Sequence, residues 1–321
     1  MHVHISWDID AGHLDWLTEE LGTEVHLSAG KTTPPDTQIL VRGRPSEEEL
    51  DTLNSLEAVI IPFAGLPPET KTLLLERPHI KVYNIHHNAS STAEMAIALM
   101  LASCKRIPQY DKTLRQGTWV LDTEYAHSSM YGKKVLVMGY GAIGSKVAQI
   151  CHAMGMKVSA LKNSPPTDQN HSVTFLDHDT WRDHLPDTDI IHLCLPATEK
   201  TKNIIGEHEL SLLPKHACLV NIGRGSLIDE TALFTALNTG KLGCAGIDVW
   251  WNYPKSRKDD TCHPSKHPFH ELANVVMTPH RAGDLGDASL ELRRMQEIAT
   301  TIQNHISGQK LSNEVDLQQG Y

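Results

Sequence analysis

The sequence predicts an α/β protein built as two doubly wound parallel-sheet domains, and three observations carry that prediction. Short apolar runs alternate with amphipathic stretches along almost the whole chain, the pattern of strands covered on both faces by helices. One such run leads straight into a GxGxxG turn, Gly139 to Gly144. The length, 321 residues, exceeds what a single hydrophobic core fills, which is about 250–300.

Taken in order, the candidate strands of the first lobe are 3–6, 25–27, 39–41, 58–61 and 81–85, with helical segments between them. The pattern then changes to a long apolar-periodic stretch from Thr92 to Arg115, carried by Ala93, Met95, Ala96, Ala98, Leu99 and Leu101, then Ile107 and Leu114, with Pro108 as its break. It reads as a helix connecting the lobes. A polar stretch, Trp119 to Tyr131, precedes the strongest strand of the second lobe at 134–138, and further strands follow at 157–161, 189–193, 218–221, 244–249 and 275–277. A completed second lobe leaves no place for the apolar face of the last helix, 285–306, which is therefore expected to return to the first.

Composition narrows the function. Hydrophobic residues make up 40% and charged residues 21%, and no apolar run reaches the ~20 residues that cross a bilayer. The start Met1-His2-Val3-His4 lacks the basic-then-apolar pattern of a secretory signal, so a cytoplasmic location is expected. With 29 basic against 39 acidic residues the net charge is −10, which repels phosphate backbones and anionic lipid, so neither nucleic acid nor membrane is expected as a partner. The six cysteines, 104, 151, 194, 218, 244 and 262, form no CxxC pair and read as reduced thiols, mostly buried. Cys262, His263, His267 and His270 match no common zinc spacing and read as a solvated loop, so no metal is expected.

The glycine turn carries chemistry. Gly139 permits the tight turn, Gly141 lets the backbone approach a pyrophosphate, and Gly144 allows helix and strand to pack closely. The helix beginning near Ala142 and Ile143 offers amides and a partial positive charge. A dinucleotide is the expected ligand. Such sites place an acidic residue about 20 positions downstream to accept from the ribose hydroxyls. Here the corresponding position is Lys162, followed by Asn163 and Ser164. A carboxylate repels a ribose 2′-phosphate whereas a lysine with polar neighbours holds one, so NADP is favoured over NAD. The other reading of Lys162 is a solvated lysine beside a cofactor bound in either form.

Three further segments place polar groups at strand ends: Cys194-Leu195-Pro196-Ala197-Thr198, Asn221-Ile222-Gly223-Arg224-Gly225, and Thr278-Pro279-His280-Arg281-Ala282-Gly283. Ligands of open parallel sheets sit beyond the carboxyl ends of the strands, so these segments converge with the glycine turn. Together with GYGAIG, LPATEKT, NIGRGSLIDE, GIDVW, MTPH and the run from Asn88 to Glu94, they give a chain that resembles the D-isomer-specific 2-hydroxyacid dehydrogenase family over nearly its whole length.

The resemblance implies a Rossmann cofactor domain, 103–283, inserted into a flavodoxin-like substrate domain, 1–102 with 284–321. It implies a homodimer and an NAD(P)-dependent oxidoreductase that interconverts a small 2-oxo acid and its D-2-hydroxy acid. By the same resemblance Arg224 pairs with the substrate carboxylate and polarises its carbonyl, and His280 is the general acid and base. Asp248 stands near the nicotinamide, and Leu195, Pro196, Thr198, Ile222 and Gly223 line the cofactor. Ala64, Gly65, Leu66 and Asn88 form the first-lobe edge of the substrate site.

One departure stands out. Family members carry a glutamate five residues after the aspartate, where it pairs with the histidine, and here that position is Tyr253, which has no negative charge near neutrality. Tyr253 can orient the imidazole but cannot hold an imidazolium as a carboxylate does. Two alternatives stay open on this account: a formate-dehydrogenase-like oxidoreductase, whose substrate needs no protonation, and a dinucleotide-sensing regulatory protein that keeps the fold without turnover.

Overall fold

The computed structural model describes residues 1–120, 129–163, 172–255, 260–283 and 288–320. The chain divides into two compact units, Met1–Asn88 with Asp284–Tyr321, and Ala89–Gly283.

In the first unit five short strands, β1 (His2–Ile5), β2 (His26–Ala29), β3 (Ile39–Val41), β4 (Ala58–Ile61) and β5 (Lys81–Asn84), form a sheet of order β2-β1-β3-β4-β5. Every pairing is parallel, and the order is that of flavodoxin-like sheets. Alternate residues serve opposite faces. Val3, Ile5, Ile39, Val41 and Ile60 pack with Leu17 and Leu21 of α1 (Ala11–Leu21) and with Met295, Ile298 and Ile302 of the C-terminal helix Ala288–Ile306. Leu40, Val59, Ile61 and Val82 pack on the other side with Leu50 of α2 (Glu47–Thr52) and Leu74 of α3 (Pro68–Leu75). The last helix thus completes the first unit, as its stranded apolar face required.

The second unit opens with α4 (Ala89–Cys104) and α5 (Ile107–Arg115). Seven parallel strands follow: β6 (Lys134–Met138), β7 (Lys157–Leu161), β8 (Val173–Leu176), β9 (Ile190–Leu193), β10 (Cys218–Asn221), β11 (Cys244–Ile247) and β12 (Val275–Met277). Helices α6 (Ala142–Ala153), α7 (Glu207–Leu212) and α8 (Glu230–Asn238) lie among them in sequence. The sheet order is β12-β11-β10-β9-β6-β7-β8. From β6 the chain steps outward to β7 and β8 and then crosses to β9 on the other side, so the order reverses between β6 and β9. A crevice opens at such a switch point, beyond the carboxyl ends of the strands. Val135 and Val137 point to one core with Ala96, Met100, Val147 and Ala148. Leu136 and Met138 point to the other with Leu210 and Leu233.

Two expectations are corrected here. The boundary falls after Asn88 rather than after residue 102, because α4 belongs to the second unit. Its Ala93, Ala96, Ile97, Leu99 and Met100 are buried in the core that also holds Val137, Val147 and Val220. A side chain on Gly246 of β11 would come within 2.8 Å of Leu99 Cβ, so the helix lies directly on the sheet. The break between α4 and α5 is made by Arg106, at φ 53°, and Pro108 sits in the first turn of α5, where a missing amide costs nothing. Strand β8 was not foreseen; it is a short edge strand with Thr174 exposed. Among the described residues no helix is long and apolar enough to cross a membrane.

The placement of α4 is testable. A fragment spanning 89–283 should unfold cooperatively on heating, followed by circular dichroism. A fragment beginning at 103 strips the sheet of the buried α4 side chains and should lose that transition.

Candidate functional site

At the end of β6 the backbone turns at Gly139, whose φ is 98°. A Cβ there would sit 2.8 Å from the carbonyl oxygen of Cys194, at the end of β9. At Gly144 a Cβ would lie 1.8 Å from the Gly139 carbonyl oxygen, so only glycine lets α6 start this close to the strand. Gly141 differs from both: apart from its chain neighbours, no atom of the described residues lies within 4 Å of a Cβ built on it. That free space stands at the start of α6, where Gly141 is the cap residue and no side chain caps the helix. The amides at Ala142 and Ile143 therefore face a position open to a phosphate, and these residues fit a dinucleotide.

At the end of β7 the half-buried Lys162 holds its Nζ 5.7 Å from the centroid of the Tyr140 ring, inside the glycine turn. Asn163 beside it is exposed, and Ser164 lies outside the described residues. Beyond β9 the half-buried Leu195 packs on the core. Pro196 and Thr198 are held in a tight polar turn, in which the Thr201 hydroxyl donates to the Pro196 carbonyl at 2.7 Å and the Thr198 amide donates to Thr201 Oγ1 at 2.8 Å.

Three neighbouring strands, β10, β11 and β12, deliver the polar centre. After β10 the fully buried Asn221 accepts from the Gly223 amide at 3.1 Å and donates from Nδ2 to the Arg224 carbonyl at 2.9 Å, fixing the loop. Ile222 and Gly223 are buried beneath it. The glycines flanking Arg224 pack against backbone rather than leaving space for a ligand. A Cβ on Gly223 would meet the Leu195 carbonyl oxygen at 2.8 Å and one on Gly225 the Trp250 carbonyl oxygen at 2.3 Å, so both serve close backbone packing. Arg224 itself is exposed and donates to the Gly223 carbonyl at 2.6 Å. Among the described residues no carboxylate lies within ion-pair distance of its guanidinium.

After β11, Asp248 is fully buried with both oxygens committed to the loop after β12. Oδ1 accepts from the Thr278 hydroxyl at 2.6 Å and the Arg281 amide at 2.8 Å, and Oδ2 accepts from the Ala282 amide at 2.9 Å. Trp250 adds a bond from its indole nitrogen to the Thr278 carbonyl at 2.9 Å. Between these anchors His280 stands at φ 56°, a left-handed backbone that a non-glycine residue keeps only when its surroundings enforce it. The imidazole makes no hydrogen bond to a described residue and is exposed on one side. The protein packed against its other side, followed by the positive Arg224, lowers its pKa, and Asp248 opposes that shift.

Tyr253 occupies the place where a carboxylate is expected. Its ring centroid lies 5.5 Å from that of His280, at 53° between planes. Its hydroxyl accepts from the Trp250 amide at 3.0 Å. Burial raises its pKa above the usual phenol value, with the Trp250 hydrogen bond and Arg224 pulling the other way, so the group is neutral.

In the first unit Ala64, Gly65 and Leu66 form the half-buried loop that follows β4, and the Ala64 carbonyl accepts from Asn84 Nδ2 at 2.9 Å. Asn88 is the half-buried last residue before the boundary. His86 and His87 bond to the C-terminal helix: the His86 amide donates to Glu297 at 2.8 Å and Arg294 Nε to His87 Nε2 at 3.3 Å.

Sequence reasoning missed Asn221 and Trp250 as anchors. An Asn two residues before a glycine at a strand end is a local signal for the first; the indole bond of Trp250 has none. The cluster near residue 262 is used separately: His267 stacks on Phe234 at 4.9 Å and bonds Thr231, while His263 stacks on His270 at 4.8 Å. Replacing Asp248 by alanine should leave the buried Ala282 amide without an acceptor, at about 1–3 kcal/mol, and cost less at the partly buried Arg281 amide. Urea unfolding of the variant measures this.

Comparison with known proteins finds relatives of the sequence and of the fold. Residues 97–282 match the family model described as D-isomer specific 2-hydroxyacid dehydrogenase, NAD binding domain. A D-3-phosphoglycerate dehydrogenase of Archaeoglobus fulgidus is 34% identical over 328 aligned positions, covering 99% of this chain and 59% of that protein. A glyoxylate reductase of Aeropyrum pernix is 33% identical over 211 positions, 64% of this chain and 60% of that one. The chain thus spans about three fifths of the length of these curated relatives. Among solved structures, an acyclic imino acid reductase (Bsp5) in complex with NADPH and D-Arg superposes with a TM-score of 0.79 at 25% identity, over 98% of this chain and 100% of that one. The family model covers more than half of the sequence, and the chain belongs to the D-isomer-specific 2-hydroxyacid dehydrogenase family.

Proposed function

We propose that this protein is an NAD(P)-dependent oxidoreductase that interconverts a small 2-oxo acid and its D-2-hydroxy acid, with NADP favoured over NAD. The observation that carries the reading is the pair formed by Arg224 and His280. A guanidinium with no carboxylate partner and an imidazole with no hydrogen-bond partner among the described residues stand at the ends of strands separated only by β11. Their relatives named as a phosphoglycerate dehydrogenase and a glyoxylate reductase support a small carboxylate as substrate.

When bound on the Gly139–Gly144 turn, the dinucleotide supplies or accepts the hydride. Arg224 binds the substrate carboxylate through its planar fork and draws charge toward the carbonyl oxygen. His280 in its protonated form gives a proton to that oxygen during reduction, and in its neutral form takes it back during oxidation. Asp248 and Trp250 hold the loop so that the imidazole keeps its strained position. Tyr253 packs beside the ring without adding charge. Lys162 and Asn163 carry the preference for a ribose 2′-phosphate.

The deciding assay is oxidation of NADPH and NADH with glyoxylate, pyruvate and hydroxypyruvate. Turnover on one of them that is lost in His280→Ala upholds the reading. Cofactor binding without turnover on any of them favours the dinucleotide sensor, to which the neutral Tyr253 lends weight.

Two further outcomes are expected. Because the His280 pKa lies below the usual histidine value, kcat/KM for reduction should be highest on the acidic side and fall as pH rises through that lowered pKa. Tyr253→Glu restores a negative neighbour and should move this limb to higher pH, read from pH–rate profiles of both proteins. Lys162→Ala should raise KM for NADPH by roughly 10–100-fold, the worth of one charge-assisted hydrogen bond, while KM for NADH changes little.

A further inference from the structure

Away from the dinucleotide turn, one group of three cysteines converges from three elements. Cys104 is the last residue of α4, Cys218 the first of β10 and Cys244 the first of β11. Cys218 and Cys244 are direct partners in the parallel ladder, so both side chains leave the same face of the sheet. The end of α4 is pinned over them by the Ser103 hydroxyl, which donates to the Ala245 carbonyl at 3.1 Å. As a result the three sulfur atoms lie within 4.8 Å of one another. They occupy the amino ends of β10 and β11, whereas Arg224 and Asp248 follow the carboxyl ends, so the proposed reaction has no use for them.

We propose that Cys104, Cys218 and Cys244 form a three-thiolate site for a soft monovalent metal ion, copper(I). The donor set decides the class of ion. Three sulfurs around one ion at metal–sulfur distances of about 2.3 Å stand about 4 Å apart, within the spacing found here after small side-chain rotations. A closed zinc site asks for four ligands in a tetrahedron. Among the described residues this group offers three donors, all soft, which suits copper(I). On binding, each sulfur exchanges its proton for a bond to the metal and the protons go to solvent. Three thiolates around a univalent ion leave a net negative charge. Positive side chains act on the site, Lys105 on Cys104 and Arg106 on Cys244, while Lys133, which also acts on Cys104, is paired with Asp189 at 2.8 Å. Cys218 is buried, but Cys104 and Cys244 are partly accessible and give an ion its way in.

The test is an anaerobic titration of the reduced full chain with copper(I), supplied as its acetonitrile complex in competition with bicinchoninate, with zinc(II) titrated in parallel. One copper per chain is expected in the native protein and in Cys262→Ser, with a sulfur-to-copper charge-transfer absorption. Cys104→Ser and Cys244→Ser, each checked for native circular dichroism, should lose more affinity than the roughly 10–100-fold that removal of a mere outer-shell partner costs. X-ray absorption of the loaded native protein should show a sulfur-only shell and does not depend on any variant folding. Copper affinity unchanged in both serine variants, nitrogen or oxygen in the copper shell, or tighter binding of zinc than of copper would overturn the proposal.

Discussion

Beneath His280 the carboxylate of Asp248 gathers the Thr278 hydroxyl and two consecutive backbone amides, and with them it ties the end of β12 to the end of β11. The left-handed backbone at His280 is stable only because of those bonds. On the other flank, Asn221 plays the same part for the loop of Arg224, and Gly225 lets that loop rest against the Trp250 backbone. The two chemically exposed side chains therefore stand on a buried polar frame that runs across three adjacent strands. Such a frame is strong only when every member is satisfied, which makes the site sensitive to changes at residues that never meet a ligand.

Much of this architecture was legible in the sequence, for stated reasons. Strands β3 and β4 are runs of buried apolar residues with sharp ends, and β6 and β10 add only one polar end residue each, Lys134 and Asn221, to such a run. The glycine turn was legible because each glycine has a separate steric duty, and the duties of Gly139 and Gly144 are met at the contact distances that forbid any side chain. Strand β8 escaped because an edge strand with an exposed residue lacks the continuous apolar run of a central one.

Other features need the fold before they can be read. Helix α4 is apolar on most of its surface, so its pattern says that it is buried but not in which core. The structure turns both oxygens of Asp248 to a hydroxyl and two backbone amides thirty to thirty-four residues on, a pairing that no local spacing encodes. The cysteines at 104, 218 and 244 are distant in the chain and share only their places at element ends, so the absence of a CxxC motif concealed their meeting.

The electrostatics of Tyr253 have one more consequence. With a neutral phenol beside the imidazole, burial and the positive Arg224 together outweigh the opposing Asp248 charge and disfavour imidazolium. A carboxylate docking on Arg224 cancels that repulsion and favours protonation of the ring. On the reading proposed above, the anion that the family resemblance assigns to a glutamate side chain would here arrive with the substrate, so that the acid would be armed by occupancy.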